Sequence, residues 1–285
     1  MLDYDISFES LVRQYSWAFI RQGKVMDLLH CAGLGRPPGV KIPSWIPDWT
    51  TQRQNSLRSL SGQGMPCAAS RLTEPRIDYD QATNDFELRV HGVKVDTITA
   101  VSTTSNLPQE LVSYLNEIDE MVRLASPTQY EDLRWQVPIA GALKERIKGH
   151  DMHDSYMALC EYIGKKPKKS KNKKRQRKGV GEILVSTRDK DALWLSGQNY
   201  FLALQENLAG WKFVLTGKGY LGVAPPQARK GDRISVFDRG VVPFLLIRSK
   251  AFKGSFYLVG ECYIHGFMNG EGCNLGLPDK LIRLR

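Results

Sequence analysis

The chain has 285 residues, 42% of them hydrophobic and 25% charged. That balance supports a sizeable core and excludes a wholly disordered, collagenous or coiled-coil protein. The formal net charge is +10, but ten of the bases stand in one stretch, 165–178, so the other 271 residues balance at 30 bases and 30 acids.

The N-terminal residues Phe8, Leu11, Val12, Tyr15 and Phe19 recur at helical spacing and predict a helix over about 7–21 with these side chains on its buried face. A second short helix holds Val25, Leu28 and Leu29 and stops at Gly33 and Gly35. The segment Pro43-Ser44-Trp45-Ile46-Pro47-Asp48-Trp49 is too rich in proline for a helix or central strand and reads as an extended aromatic connector. Residues 51–71 read as a loop. Phe86, Leu88 and Val90 alternate as a strand, and the change of parity to Val93 and Val95 places a bulge at Gly92.

Pro108 opens a predicted helix whose Leu111, Leu115, Ile118, Val122 and Ala125 share one face, and Pro127 closes it. A further helix over about 151–163 aligns Met152, Tyr156, Leu159 and Ile163. The basic tract follows, and then a helix over about 191–209, with Leu193, Tyr200, Leu204 and Leu208 inward and Gly210 as its stop. Beyond it the period becomes two. Segments 212–216, 220–223, 232–237, 242–248 and 256–264 predict short strands separated by glycines.

The fold class expected is α+β, a mixed helical region followed by a small antiparallel β-barrel-like unit. Three segments are expected: 1–164, helical and extended with a β segment at about 86–98; 165–178, a basic insertion; and 179–285, a helix plus the barrel-like unit.

The basic tract, KKPKKSKNKKRQRK, comprises Lys165, Lys166, Lys168, Lys169, Lys171, Lys173, Lys174, Arg175, Arg177 and Lys178. Like charges at this density repel, which predicts a solvated, disordered insertion. The tract is also the candidate nuclear-import signal or phosphate-binding arm. It has no interleaved aromatics, so any nucleic-acid contact is expected to be electrostatic and blind to sequence. The longest apolar run, Val241–Ile247, falls far short of the roughly 20 residues of a membrane span. Five cysteines without a CxxC pair, and no secretory signal after Met1, point to free thiols in a reducing compartment. The expected location is intracellular and cytoplasmic, with the nucleus as the alternative and no membrane partner.

Several residues invite sharper chemistry. Gly217-Lys218-Gly219-Tyr220-Leu221-Gly222 is a literal GxGxxG, but Pro225 and Pro226 follow where a dinucleotide site needs a helix, so a hairpin is expected. His150, Asp151, His153 and Asp154, with Cys160 nearby, lack the partner ligands of a zinc site. His265 with Glu261 or Glu271 could make an acid–base pair, but no nucleophile motif accompanies them. Trp45 and Trp49 are expected to pack the connector onto the core. No catalytic residue, cofactor or metal is expected.

The last third, Trp211 to Glu271, carries an ordered set of motif residues: Thr216, Gly219, Gly222, Pro225, Gly231, Asp232, Pro243, Phe244, Leu246, Val259, Gly260, Glu261, Tyr263, His265, Gly266, Met268, Gly270 and Glu271. Together with the PSWIPDW connector and the run Leu88, Val90, Gly92, Asp96 and Ile98, it resembles the C-terminal region of fungal heterokaryon-incompatibility (HET) domain proteins. The N-terminal HET module of those proteins, with its SY-x-WG and W-I-D-A stretches, finds no counterpart here. The arginine of their Pro-Phe-x-Leu-Arg strand is displaced by one, to Arg248. The resemblance implies a non-catalytic, regulatory or partner-sensing part of a non-self recognition protein, working with other proteins. The alternative expectation is a nuclear or nucleic-acid-associated protein acting through 165–178.

Overall fold

The computed structural model describes residues 6–35, 42–50, 75–79, 87–103, 107, 109–140, 152–165, 187–268, 270–272 and 276–285. The helices are α1 (Phe8–Arg21), α2 (Val25–His30), α3 (Leu111–Ala125), α4 (Tyr130–Gln136), α5 (Met152–Tyr162) and α6 (Thr187–Leu208). The strands are β1 (Ile77–Tyr79), β2 (Leu88–Val101), β3 (Lys212–Thr216), β4 (Leu221–Ala224), β5 (Arg233–Phe237), β6 (Phe244–Arg248), β7 (Ser255–Glu261), β8 (Tyr263–Ile264) and β9 (Asp279–Leu284). All nine belong to one mixed, mostly antiparallel sheet, and the architecture is α+β.

Strand β2 organises that sheet. Leu88–Val93 pairs antiparallel with β9, Gly92–Thr97 with β5, and Ile98–Val101 with β3. Its two edges are used in turn. Ile98 gives its N–H to Asp232 and its carbonyl to Gly231, on the β5 side, while the Thr97 carbonyl accepts from Gly217, on the β3 side. The register shifts between Lys94 and Asp96 and again between Ile98 and Ala100, so extra residues at Val95 and Thr99 bend the strand. The bulge expected at Gly92 is therefore displaced. Gly92 serves a different need: a Cβ there would overlap the Val236 carbonyl oxygen and come within 2.9 Å of Phe237 Cα. The bend lets β2, β5, β6, β7 and β9 pair in sequence around a ring, closed by a two-residue parallel contact between β7 and β9. The hairpin β3–β4 and the short β8 extend from the far half of β2.

Val95, Ile98, Ile234, Val236, Leu245 and Val259 form one core with Val214 of β3 and Ile264 of β8. A second core lies where the N-terminal helices meet residues from all five strands of the ring. Val12, Ile20, Val25, Leu28 and Leu29 pack there with Leu88, Val90, Phe237 and Phe244. The third joins α3–α6 to the β3–β4 hairpin through Leu115, Ile118, Val122, Tyr156, Leu159, Tyr200, Leu204 and Phe213.

The buried face of α1 differs from the predicted one. Val12, Ser16 and Ile20 point inward, and Phe8, Leu11 and Tyr15 remain exposed. Ser16 enters the core because its hydroxyl donates to the Val12 carbonyl at 2.8 Å, which satisfies it within the helix. Trp17 on the neighbouring face meets Trp45 at 6.1 Å between ring centroids. The connector is fixed by Ser44. Its N–H and hydroxyl both reach the Arg285 carbonyl, and its oxygen accepts from the Leu258 N–H at 2.7 Å. Trp45 is fully buried beside this clamp, while Trp49 is half exposed and stacks on Phe19.

Glu87, buried at the start of β2, ties the sheet ends together. It accepts from Arg89 and Arg283 Nε, each at 2.8 Å, and lies 3.2 Å from Arg285. Burial alone would raise this carboxyl, but the hydrogen bonds from Arg283 and Arg89 outweigh it and hold the group below the ordinary glutamate range.

The predicted loop at 51–71, Phe86 and Pro108 lie outside the described residues. Helix α4 and strands β1 and β9 are elements that the sequence reading did not anticipate. We expect Gly92→Ala to push β2 off β5 and cost about 2–3 kcal/mol, read as a lowered midpoint in urea unfolding. An unchanged midpoint would show that β5 yields without loss.

Candidate functional site

The turn between α1 and α2 determines where the site forms. The Gln22, Gly23 and Lys24 amides return to the Ala18, Ile20 and Phe19 carbonyls, which ends α1 and swings α2 against the ring. Val25, Leu28 and Leu29 then bury completely, and His30 follows on the same side. After α2 the chain lies directly on β7. Leu34 N–H donates to the Val259 carbonyl at 3.1 Å, and a Cβ at Gly33 would overlap that same carbonyl. This contact aligns His30 with the end of β7.

There His30 Nδ1 lies 2.6 Å from Glu261 Oε1, with both side chains buried, at 2% and 5% exposure. The imidazole also rests against Phe244, 5.1 Å between ring centroids. A carboxylate can only accept, so Nδ1–H donates. The ring's Nε2 is buried and has no hydrogen-bond partner among the described residues. His30 lines a cleft of about 340 Å³ shared with Gly23, Lys24, Met26, Asp27, Pro75, Arg239 and Val241.

The candidates taken from the sequence are distributed differently. Glu261 meets His30 rather than His265, whose Nδ1 lies 3.1 Å from the Tyr263 hydroxyl. The GxGxxG stretch forms the β3–β4 hairpin, with the Lys218 N–H donating to Asp96 at 2.7 Å. His150 and Asp151 lie outside the described residues, and His153 sits edge-on to Trp135. No group of three metal-ligating side chains gathers among the described residues.

Of the ten tract bases only Lys165 is described, and it departs from the solvated expectation. Its N–H returns to the Cys160 carbonyl, and its Nζ lies 2.9 Å from Asp119 Oδ2, an ion pair rather than an aligned hydrogen bond. Burial lowers this ammonium's pKa below the ordinary lysine value despite Asp119. Asp119 lies 3.6 Å from Arg134, a buried guanidinium held by the Tyr156 hydroxyl at 2.7 Å between the Tyr130 and Tyr156 rings. Lys165 is therefore held to the helical layer. Lys166 to Lys178 lie outside the described residues.

The motif aspartate Asp232 has a structural role. It accepts from the Arg229 N–H at 2.8 Å in the turn before β5. Burial dominates and raises its carboxyl to about 6, the turn hydrogen bond opposing the shift.

A small ring of strands with a helical excursion between two of them is the architecture in hand, and its recurring glycines and acids shape turns. The chain belongs to the Het-6 beta-barrel domain family, whose model matches residues 88–275, from the first residue of β2 to just before β9. It is 22% identical over 302 residues to heterokaryon incompatibility protein 6, OR allele, of Neurospora crassa, covering 90% of this chain and 42% of that protein. The chain thus spans less than half the length of this relative. No solved structure matches it. No helix among the described residues is long and apolar enough to cross a membrane.

The Asp232 assignment has a pH signature. Its native pKa lies above the unfolded value of 3.8, so the folded state binds the extra proton, and the stability from this group is present at about pH 4 and lost as pH rises through about 6. We expect Asp232→Asn to gain about 1–2 kcal/mol over the parent at pH 7 and nothing at about pH 4, by urea unfolding. A pH-independent difference would refute the assignment.

Proposed function

We propose that this chain is a non-catalytic, partner-sensing part of a fungal heterokaryon-incompatibility system. The observation that carries the reading is the match to heterokaryon incompatibility protein 6 along 90% of the chain. The use of the shared motif residues supports it. Gly92 and Asp232 serve strand approach and turn closure, and Trp45 and Ser44 pin the connector. Residues of this kind build a scaffold for surfaces rather than a reaction centre.

Two measurements test the reading. Expressed alone in a fungal host, the chain is expected to leave growth and NAD levels unchanged. Grafted in place of the matching segment of the Neurospora relative, it is expected to preserve the incompatibility reaction while changing which strains provoke it. Death or NAD loss from the chain alone, or a folded chimera with the parent's unchanged strain specificity, would overturn the proposal.

The charge distribution favours a second reading, in which 165–178 directs nuclear import or holds nucleic acid, because this tract carries the whole net charge. If it binds phosphates, the logarithm of affinity falls against log salt by about 0.9 for each contact. Replacing the tract bases by Ser or Gln is expected to abolish that slope and any nuclear accumulation. Binding and localisation unaffected by the replacement would dismiss this reading.

A further inference from the structure

We infer that the end of the ring remote from α2 binds a small polyanion, a compound with several phosphate or carboxylate charges close together. The inference stands apart from the partner-sensing proposal and from the 165–178 tract, and it rests on strand register.

Alternate side chains of the ring strands turn toward the core beneath α1 and α2. Val90, Phe237, Leu246 and Ile282 belong to that core. Steps of two residues along the same strands carry this face to Lys94 on β2, Arg233 on β5, Arg248 on β6 and Lys280 on β9. Helix α2 covers one end of the ring, where His30 meets Phe244 at the start of β6 and Glu261 at the end of β7. The four cations stand toward the other end, where β5 and β9 begin and β6 finishes. Lys94 and Arg233 are half-buried, and Arg248 and Lys280 are exposed.

The register makes one row of them. Gly92 pairs with Lys280, and Lys94 stands two residues on. Lys94 pairs with Ser235, and Arg233 stands two residues back. Arg233 pairs with Leu246, and Arg248 stands two residues on. Diagonal neighbours of this kind lie about 7–8 Å apart, inside the roughly 10 Å over which 0.1 M salt screens a charge. The row also follows the curve of the ring, so its charges act on one shared space. Burial, and then Arg233, hold the Lys94 ammonium below the ordinary lysine value, with Lys280 and Lys218 adding and Asp96 opposing. Burial, and then Arg248, lower Arg233 likewise.

The acids beside the row are already matched. Asp96 accepts from the Lys218 N–H at 2.7 Å, Asp279 Oδ2 lies 2.6 Å from Arg76, and Asp232 accepts from the Arg229 N–H. None of Lys94, Arg233, Arg248 and Lys280 forms an ion pair among the described residues. The chain outside 165–178 is neutral overall, so this is a local excess. Clustered cations without counter-charges fit several negative groups on one compact molecule, as in a polyphosphate or a tricarboxylate. A nucleic-acid strand fits less well, because it stacks bases on free aromatic faces. Here Arg233 lies 5.0 Å from the Phe256 ring centre, and Arg285 lies 4.2 Å from that of Phe252.

The test is a calorimetric titration of the full chain in about 0.1 M salt. The probes are tripolyphosphate, citrate and, as the singly charged control, acetate. At least one polyanion is expected to bind saturably with a Kd at or below about 0.1 mM, and acetate not at all. The tighter arm identifies phosphate or carboxylate as the recognised group. Arg248 and Lys280 are exposed, so Arg248→Gln and Lys280→Gln keep the fold, verified by an unchanged urea midpoint. Each is expected to weaken binding about tenfold. Replacing the bases from Lys166 to Lys178 by Gln is expected to leave that affinity in place. Absence of saturable binding by both polyanions overturns the inference. So does an affinity indifferent to Arg248→Gln and Lys280→Gln, or one lost with the tract bases. A ten-thymidine oligonucleotide that binds through Arg248 and Lys280 more tightly than either polyanion also overturns it, in favour of a nucleic-acid surface. None of these outcomes bears on whether the chain senses protein partners.

Discussion

One strand serves three cores. Along β2, Leu88 and Val90 enter the core beneath α1 and α2, Val95 and Ile98 enter the core shared with β3, β4 and β8, and Ala100 packs against the core beneath α3–α6. A regular strand alternates between two faces and could not do this. The two bulges supply the missing degree of freedom, since each extra residue turns the following side chains and bends the axis. Ring closure, the docking of the N-terminal helices and the position of the hairpin all depend on that bent path. Gly92 marks the tightest place on it, where the backbone of β5 comes too close for any side chain.

The same geometry gathers residues from opposite ends of the chain. His30 and Glu261 are 231 positions apart, yet the seating of α2 on β7 brings them to 2.6 Å. Glu87 meets Arg283 and Arg285 in a comparable way just before the start of β2. The two carboxylates differ in what surrounds them. Glu87 has several cationic donors and behaves as a structural hub. Glu261 fixes the imidazole of His30, a residue that lines a cleft.

Much of the fold was legible in the sequence because period and punctuation are local properties. The helical face of α3, the strand run after Gly210 and the hairpin reading of GKGYLG all followed from spacing and turn chemistry. Pairing geometry is not local. The parity change in β2 was visible, but its cause lay in Val95 and Thr99, whose extra length appears only against partner strands. Strand β9 alternates over only six residues of mixed charge and apolar character, too short a signal to separate from a loop. The face of α1 was misread because Ser16 counts as polar in sequence, although its own helix satisfies it. The His30 site was invisible for a related reason. A histidine closing a six-residue helix has no motif around it, and its partner carried a motif that pointed to His265 instead.

The helical excursion between β2 and β3 leaves and returns through one narrow gate. Ser102 N–H donates to the Phe213 carbonyl, and the Phe213 N–H donates to the Ser102 hydroxyl, so the two ends of a long detour are stitched side by side. Whatever lies between them adds no length to the strands and alters no register in the ring. Such a loop behaves as a cassette. Lineages can lengthen, shorten or recharge it, the lysine-rich run included, while the closure entropy grows only logarithmically and the surrounding strands keep their alignment. Within the detour that freedom belongs to the lysine-rich run, since α3–α6 are committed to the core they share with the β3–β4 hairpin.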